Sequence, residues 1–233
     1  MKPQQRQLAA KIYLYLAALF ITSLVVSNLI FQKFFYWYPF EEEIFGNRLF
    51  ELSVGILPYP ITFLITDLIS EIYGKKAANR VVTAGIFASL FSMGILLIAD
   101  YVPAMESSPI DDATFTKVFS LSPLAVLASM IAYLLAQFVD IRIYHFWKKI
   151  TQGKMLWLRN NFSTFASQFL DTFSVVFLLS LFGILPWDLF IGLVLSGFIF
   201  KIIVAALDTP LLYLLVWMFR KKFNLKLGEE IKL

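Results

Sequence analysis

The chain has 233 residues, 59% of them hydrophobic and 15% charged, with a formal net charge of +4 and no cysteine. Ordinary soluble domains carry roughly 45–50% apolar and about 25% charged residues, so a soluble globular protein is set aside. Without cysteine there is no disulfide, thiolate metal site or cysteine nucleophile, and the basic residues sit at the ends of apolar runs, where they anchor spans rather than bind nucleic acid.

The N-terminal MKPQQRQLAAK is positively charged but lacks a small-residue cleavage pattern, so it reads as the flank of a retained first span and not a signal peptide. That span, Ile12 to Ile30, is long enough to cross a hydrocarbon core of about 30 Å. The aromatics FFYWYPF and the run Glu41 to Glu43 then read as an interfacial belt and an outer loop. A second apolar run starts near Leu49 and carries Pro58 and Pro60, which lack a backbone donor and turn their predecessors away from helix. The helix proper, Pro60 to Tyr73, is then only roughly 21 Å long, so the part before the break must share the crossing. Broken spans line cavities.

The third span is expected over Val81 to Ala99, the fourth over Leu124 to Trp147 and the fifth over Phe162 to Ile184. A short LPWD turn leads to the sixth, near Leu189 to Phe219, roughly 46 Å if unbroken, with Pro210 as the expected kink. Lys and Arg cluster at the N-terminus, at Lys75 to Arg80, at Arg142 to Arg159 and at Arg220 to Lys222, whereas acidic loops follow the first and third spans. This alternation predicts one domain over residues 1–233, an all-α integral membrane protein of six transmembrane helices in one bundle, with both termini cytoplasmic.

An Asp at the centre of a membrane helix costs about 2.5–3.5 kcal/mol on translocon scales, so such residues must face the bundle interior. Five acidic positions qualify: Asp67, Glu71, Asp140, Asp171 and Asp208. Asp67 and Glu71 stand four apart on one helix face. Gln137 with Asp140, and Gln168 with Asp171, repeat a Q-x-x-D unit on consecutive spans, and both copies are expected to face one cavity. Lys201 and Asp208 share a face two turns apart, too far for a direct pair, so Lys201 is expected to neutralise a carboxylate on another span. The plainer alternative for Glu71 is an interfacial pair with the basic cluster beyond it, and for Asp140 a structural role beside Arg142; His145 reads as interfacial.

Enzyme chemistry finds no support. The Y-D and G-x-G-D pattern of aspartyl intramembrane proteases is missing, the one histidine is misplaced for a serine protease, and neither a zinc motif nor a P-loop occurs. Glu42, Glu43 and Arg48 approach the E-E-x-x-x-R arrangement of prenyl-protein proteases, but the spacing is one residue too long. A polar pocket in a membrane bundle, with no cofactor, remains; it recognises and moves a small polar solute.

The stretch PITFLITDLISEIYGKKAANRVV, with SQFLDT and LDTPLLY further on, resembles the queuosine precursor transporter family, also described as vitamin-uptake-like integral membrane proteins. The resemblance runs from about the first span through Tyr213. It implies import of 7-cyano-7-deazaguanine, its aminomethyl relative or queuine across the bacterial inner membrane, for making queuosine in tRNA. It also implies a fold similar to the substrate-binding subunits of energy-coupling-factor transporters. A guanine-like edge offers a ring N–H and an exocyclic amine, two adjacent donors that one carboxylate accepts. Gln168 is suited to the neighbouring carbonyl, and an aromatic ring to the base face. Asp67, Glu71, Gln168, Asp171, Lys201 and Asp208 are therefore expected to line the pocket, with Gln137 and Asp140 beside them. The alternative is a binding subunit of an ATP-driven uptake complex, and a membrane assembly protein with no ligand is a third class. Proton coupling and facilitated diffusion both stay open. The partners expected are the deazaguanine and the bilayer, with no nucleic acid; a homo-oligomer is compatible with these readings.

Overall fold

Pro60 lies in the first turn of a 14-residue helix, Tyr59–Ile72, around which the rest of the chain is arranged. The computed structural model describes residues 3–31, 33–36, 51–119, 123–183 and 185–232. The expected acidic run Glu41 to Glu43, Arg48, Leu49, Ile184 and the end of the aromatic belt from Trp37 lie outside the described residues. The elements are α1 (Pro3–Ile30), a short antiparallel ribbon of β1 (Phe34–Tyr36) and β2 (Glu51–Ser53), a 3-10 turn (Val54–Ile56), α2 (Tyr59–Ile72) and α3 (Lys75–Tyr101). Then come α4 (Asp112–Phe119), α5 (Pro123–Ile150), α6 (Leu156–Leu181), a second 3-10 turn (Trp187–Leu189) and α7 (Phe190–Phe223). Phe35 pairs with Leu52 in the ribbon, so the start of the expected belt is a strand.

Among the described residues, five helical stretches are long and apolar enough to cross a membrane: Pro3–Ile30, Val54–Ile72, Lys75–Tyr101, Leu156–Leu181 and Trp187–Phe223. The fourth expected span coincides with α5, of 28 residues. The break at Leu57 and Pro58 is where the two prolines put it, separating the 3-10 turn from α2. Three starts move by six residues or more, and α1 begins at Pro3, nine residues before the expected Ile12. α3 starts directly after Gly74, whose φ of 82° suits a residue without a side chain, and α6 starts at Leu156, six residues before the expected Phe162. α7 continues through Pro210 without interruption, and the neighbouring Thr209 hydroxyl donates to the Ala205 carbonyl at 3.0 Å. α4 was not expected at all; its signal is local, since Asp111 caps it by accepting from the Thr114 amide at 2.8 Å. Thr114, through side chain and backbone, holds that exposed Asp111 carboxyl below its ordinary range.

α2 packs against α1, α3, α5 and α7, and all but one of its last eleven residues are buried. The stretch Val54–Ile72 that contains it has the lowest mean hydropathy of these five, 1.3 against 2.3 for α3. The outer helices show the converse pattern, with Phe87, Phe91, Ile98 and Leu207 exposed, as expected of side chains that meet lipid. The helices run up and down, so the basic residues of the N-terminus, the α2–α3 turn, the α5–α6 turn and the end of α7 meet at one end, called here the basic end. There Tyr73 donates to the Ala9 carbonyl at 2.8 Å, and the segment after α7 folds back so that the Ile231 amide donates to the Ile72 carbonyl at 2.7 Å.

α1 and α3 approach closely because Gly85 has no side chain: a Cβ there would lie 2.6 Å from Phe20 Cε1. Phe20 is fully buried. Gly85→Leu is expected to cost about 1–3 kcal/mol by overpacking, seen as a lower unfolding midpoint and a smaller monodisperse peak on size exclusion in detergent.

Candidate functional site

Away from the basic end the bundle holds a half-open cavity of about 590 Å³, walled by the end of α1, the 3-10 turn and the facing parts of α3, α5, α6 and α7. Its polar side is a three-residue cluster. The Tyr59 hydroxyl and the Lys201 ammonium both donate to Asp171 Oδ2, each at 2.5 Å, and the ammonium also lies 4.5 Å from the centre of the Tyr59 ring. Three elements supply the cluster because each solves a local problem. Tyr59 opens α2 at the proline break, Asp171 must face inward on α6, and Lys201 on α7 needs a counter-charge. Tyr133 of α5 adds an aromatic wall, its ring edge-on to Tyr59 at 5.7 Å, and its hydroxyl accepts from Gln137 Nε2 at 2.7 Å.

Beyond the cluster, toward the basic end, a second cavity of about 20 Å³ is lined in part by Asp67, Thr164, Gln168, Lys201 and Asp208. The Asp67 and Asp140 carboxyls face each other within hydrogen-bonding reach, and Ser167 donates to Asp140 Oδ1 at 2.9 Å. Asp67 Oδ1, Asp140 Oδ2, Gln137 Oε1, Gln168 Oε1 and Thr164 Oγ1 are buried with no hydrogen-bond partner among the described residues.

The basic end is closed by a charge network around Glu71, whose side chain is 0% exposed. Arg159 lies 3.1 Å from it and is equally buried, Arg220 pairs with its other oxygen, and Lys148 stands at 3.6 Å. Tyr144 donates to Glu71 Oε2 at 3.1 Å, and the Arg159 guanidinium lies 5.4 Å from the centre of that ring. Lys148 reaches on to Glu230 at 2.8 Å and to the Glu71 carbonyl at 3.1 Å, tying the end of α2 to α5 and to the tail after α7. A buried carboxylate is tolerated only when paired this thoroughly.

The profile of the family described as "Putative vitamin uptake transporter" matches residues 53–215. The chain belongs to this family. Its matched segment runs from the ribbon to beyond Pro210 and contains Tyr59, Asp67, Glu71, Asp140, Arg159, Asp171, Lys201 and Asp208, but not α1 or Arg220. A protein named "Probable queuosine precursor transporter" from Bacillus subtilis (strain 168) is 30% identical over 175 residues, covering 73% of this chain and 73% of that one. No solved structure matches the chain. Membership makes this a multi-pass membrane protein of a transporter family and not of an enzyme family.

The eight residues singled out in the sequence do not share one pocket in this family member. Asp171 and Lys201 line the large cavity; Asp67, Gln168, Lys201 and Asp208 line the small one. Gln137, Asp140 and Glu71 line neither. The two Q-x-x-D units therefore do not face one cavity, because Gln137 is held by Tyr133 and Asp140 by Ser167 and Asp67. Glu71 does pair with basic residues, but inside the protein and not at its surface. The partner of Lys201 is Asp171. Lys148 and Arg159, grouped by sequence with the interfacial anchors, are buried, drawn in by Glu71. Tyr59, Tyr133 and Arg159 were missed as site residues. The signal for Arg159 was legible: Asn160, Ser163, Thr164, Ser167, Gln168 and Asp171 recur at helical spacing and continue the polar face of α6 back to it.

Proposed function

We propose that the chain imports a queuosine precursor, 7-cyano-7-deazaguanine or a close relative, across the bacterial inner membrane, binding it in the large cavity against Asp171. The observation that carries this reading is the Asp171 carboxylate, held through one oxygen by Tyr59 and Lys201 on the wall of a cavity of about 590 Å³. Small-molecule sites span about 300–1,000 Å³, so a bicyclic base is accommodated. Its ring N–H and exocyclic amine are two donors for the carboxylate, Lys201 is its counter-charge, and Tyr59 and Tyr133 offer ring faces or edges to the base. The name of the Bacillus subtilis relative supports the substrate class. In this reading α5 is the sixth span, the bundle is similar to the binding subunits of energy-coupling-factor transporters, and the basic end faces the cytoplasm. The large cavity then lies on the outer side and the Glu71 network closes the inner one, as in an outward-facing or occluded transporter.

The test is binding of labelled 7-cyano-7-deazaguanine to the purified chain, followed by uptake in liposomes that contain it alone. Saturable binding is expected, with competition by guanine-like bases that keep the amine and ring N–H. Absence of binding overturns the reading, and binding with uptake only after an ATPase partner is added makes the chain a subunit of an ATP-driven complex.

A further inference from the structure

The small cavity beneath the Tyr59–Asp171–Lys201 cluster is too narrow for any base, yet three of the residues on its largely apolar wall carry a buried oxygen with nothing to bind. At about 20 Å³ it has room for one water-sized occupant. Asp67 Oδ1, Gln168 Oε1 and Thr164 Oγ1 all border it, each belongs to a residue only 3% exposed, and none has a hydrogen-bond partner among the described residues. These atoms are acceptors, or a hydroxyl that can turn its lone pairs inward. The missing ligand is therefore electron-poor. The described residues hold no group of three or more His, Cys, Asp or Glu side chains fit for a metal ion, so a divalent cage is not what is built here.

We infer that this cavity binds one monovalent cation, H⁺ or Na⁺, on Asp67, and that its occupancy is coupled to the substrate site above it. Two carboxyls that face each other, Asp67 and Asp140, favour a positive charge between them. Facing Asp67 are Asp140 from α5, Arg159 from α6 and Asp208 from α7, with Glu71 one turn along its own helix. Lys201 is paired with Asp171, and Arg159, which also faces Asp67, is gathered with Arg220 and Lys148 on Glu71. The other two helices packed on α2 add nothing near it, since α1 carries Arg6 and Lys11 and α3 carries Lys75, Lys76, Arg80 and Asp100, all near their ends. The route of coupling is short. Lys201 and Tyr59 border both cavities, and Gln168 and Asp171 are one turn apart on α6, one in each. A cation below and a base above thus act on the same two helices, α6 and α7.

The inference about coupling rests on the transport reading; the cation site itself does not, and two measurements separate them. First, the unfolding midpoint of the purified chain in detergent is followed in NaCl against choline chloride at one ionic strength, and in choline chloride from pH 5 to pH 8. A rise of several degrees with Na⁺ is expected for a sodium site, and with acid for a proton site. Asp67→Asn abolishes the response in both cases, whereas Thr164→Val weakens only the response to Na⁺. A wild-type midpoint indifferent to both ions overturns the site and leaves a bound water only, a result that needs no variant to fold. An Asp67→Asn midpoint that responds like wild type also overturns it, and Asp140→Asn serves if Asp67→Asn does not fold. Second, uptake of 7-cyano-7-deazaguanine by wild-type proteoliposomes is compared with and without an inward gradient of the ion identified. Uptake is expected to rise at least severalfold with the gradient. Equal uptake in both conditions overturns the coupling, and no uptake in either overturns the transport reading while the midpoint data still decide the cation site.

Discussion

Glu71→Ala is expected to lower the stability of the folded chain by about 3–5 kcal/mol, because it strands a wholly buried guanidinium at Arg159. For a chain of this size that corresponds to a fall of roughly 10 °C or more in the unfolding midpoint. Arg159→Met is expected to cost less, since Glu71 would keep Arg220, Lys148 and the Tyr144 hydroxyl. The ranking is the discriminating measurement, made by thermal unfolding in detergent at fixed pH. If Glu71→Ala melts within a degree of wild type, the network is solvated and does not close the basic end.

Asp171→Asn is expected to weaken deazaguanine binding by roughly 30- to 150-fold, the loss of about 2–3 kcal/mol when a charge-assisted pair is removed. The amide keeps the size of the carboxylate but turns a donor toward a donor. It also leaves Lys201 without its counter-charge, so Asp171→Asn with Lys201→Met should fold better than Asp171→Asn alone yet bind no better. Radioligand binding to the two purified variants, with size-exclusion profiles as the control for folding, decides the matter. Affinity of Asp171→Asn within threefold of wild type would place the base elsewhere in the cavity.

Composition and hydropathy made the membrane class and most of the helices legible, and the two prolines located the break before α2. These are local properties, written in a dozen or so residues at a time. The pairings were not legible, because a pair such as Lys201 with Asp171 joins two spans whose relative rotation depends on every other helix. Sequence spacing showed that Lys201 needed a distant carboxylate; only packing selects it. The same limit explains Glu71. It was expected to line the pocket, with an interfacial pair as the alternative, but the chain carries Arg159 and Arg220 inward to meet it. The missed α6 start is a different failure, for there the polar periodicity was readable and the apolar run was read instead.

The Glu71 network also dictates an order of assembly. α2 is made early, and Lys148 and Arg220 follow Glu71 by 77 and 149 residues. During synthesis, then, a span of low hydropathy leaves the ribosome long before its neutralising partners exist. A carboxylate exposed to lipid is unfavourable, so α2, with Asp67 and Glu71 in its second half, has to wait beside the insertion machinery or enter sheltered by α1 and α3. The basic end is therefore the last part of the bundle to close, and a ribosome stalled before Arg220 holds a chain whose central helix is still electrically incomplete.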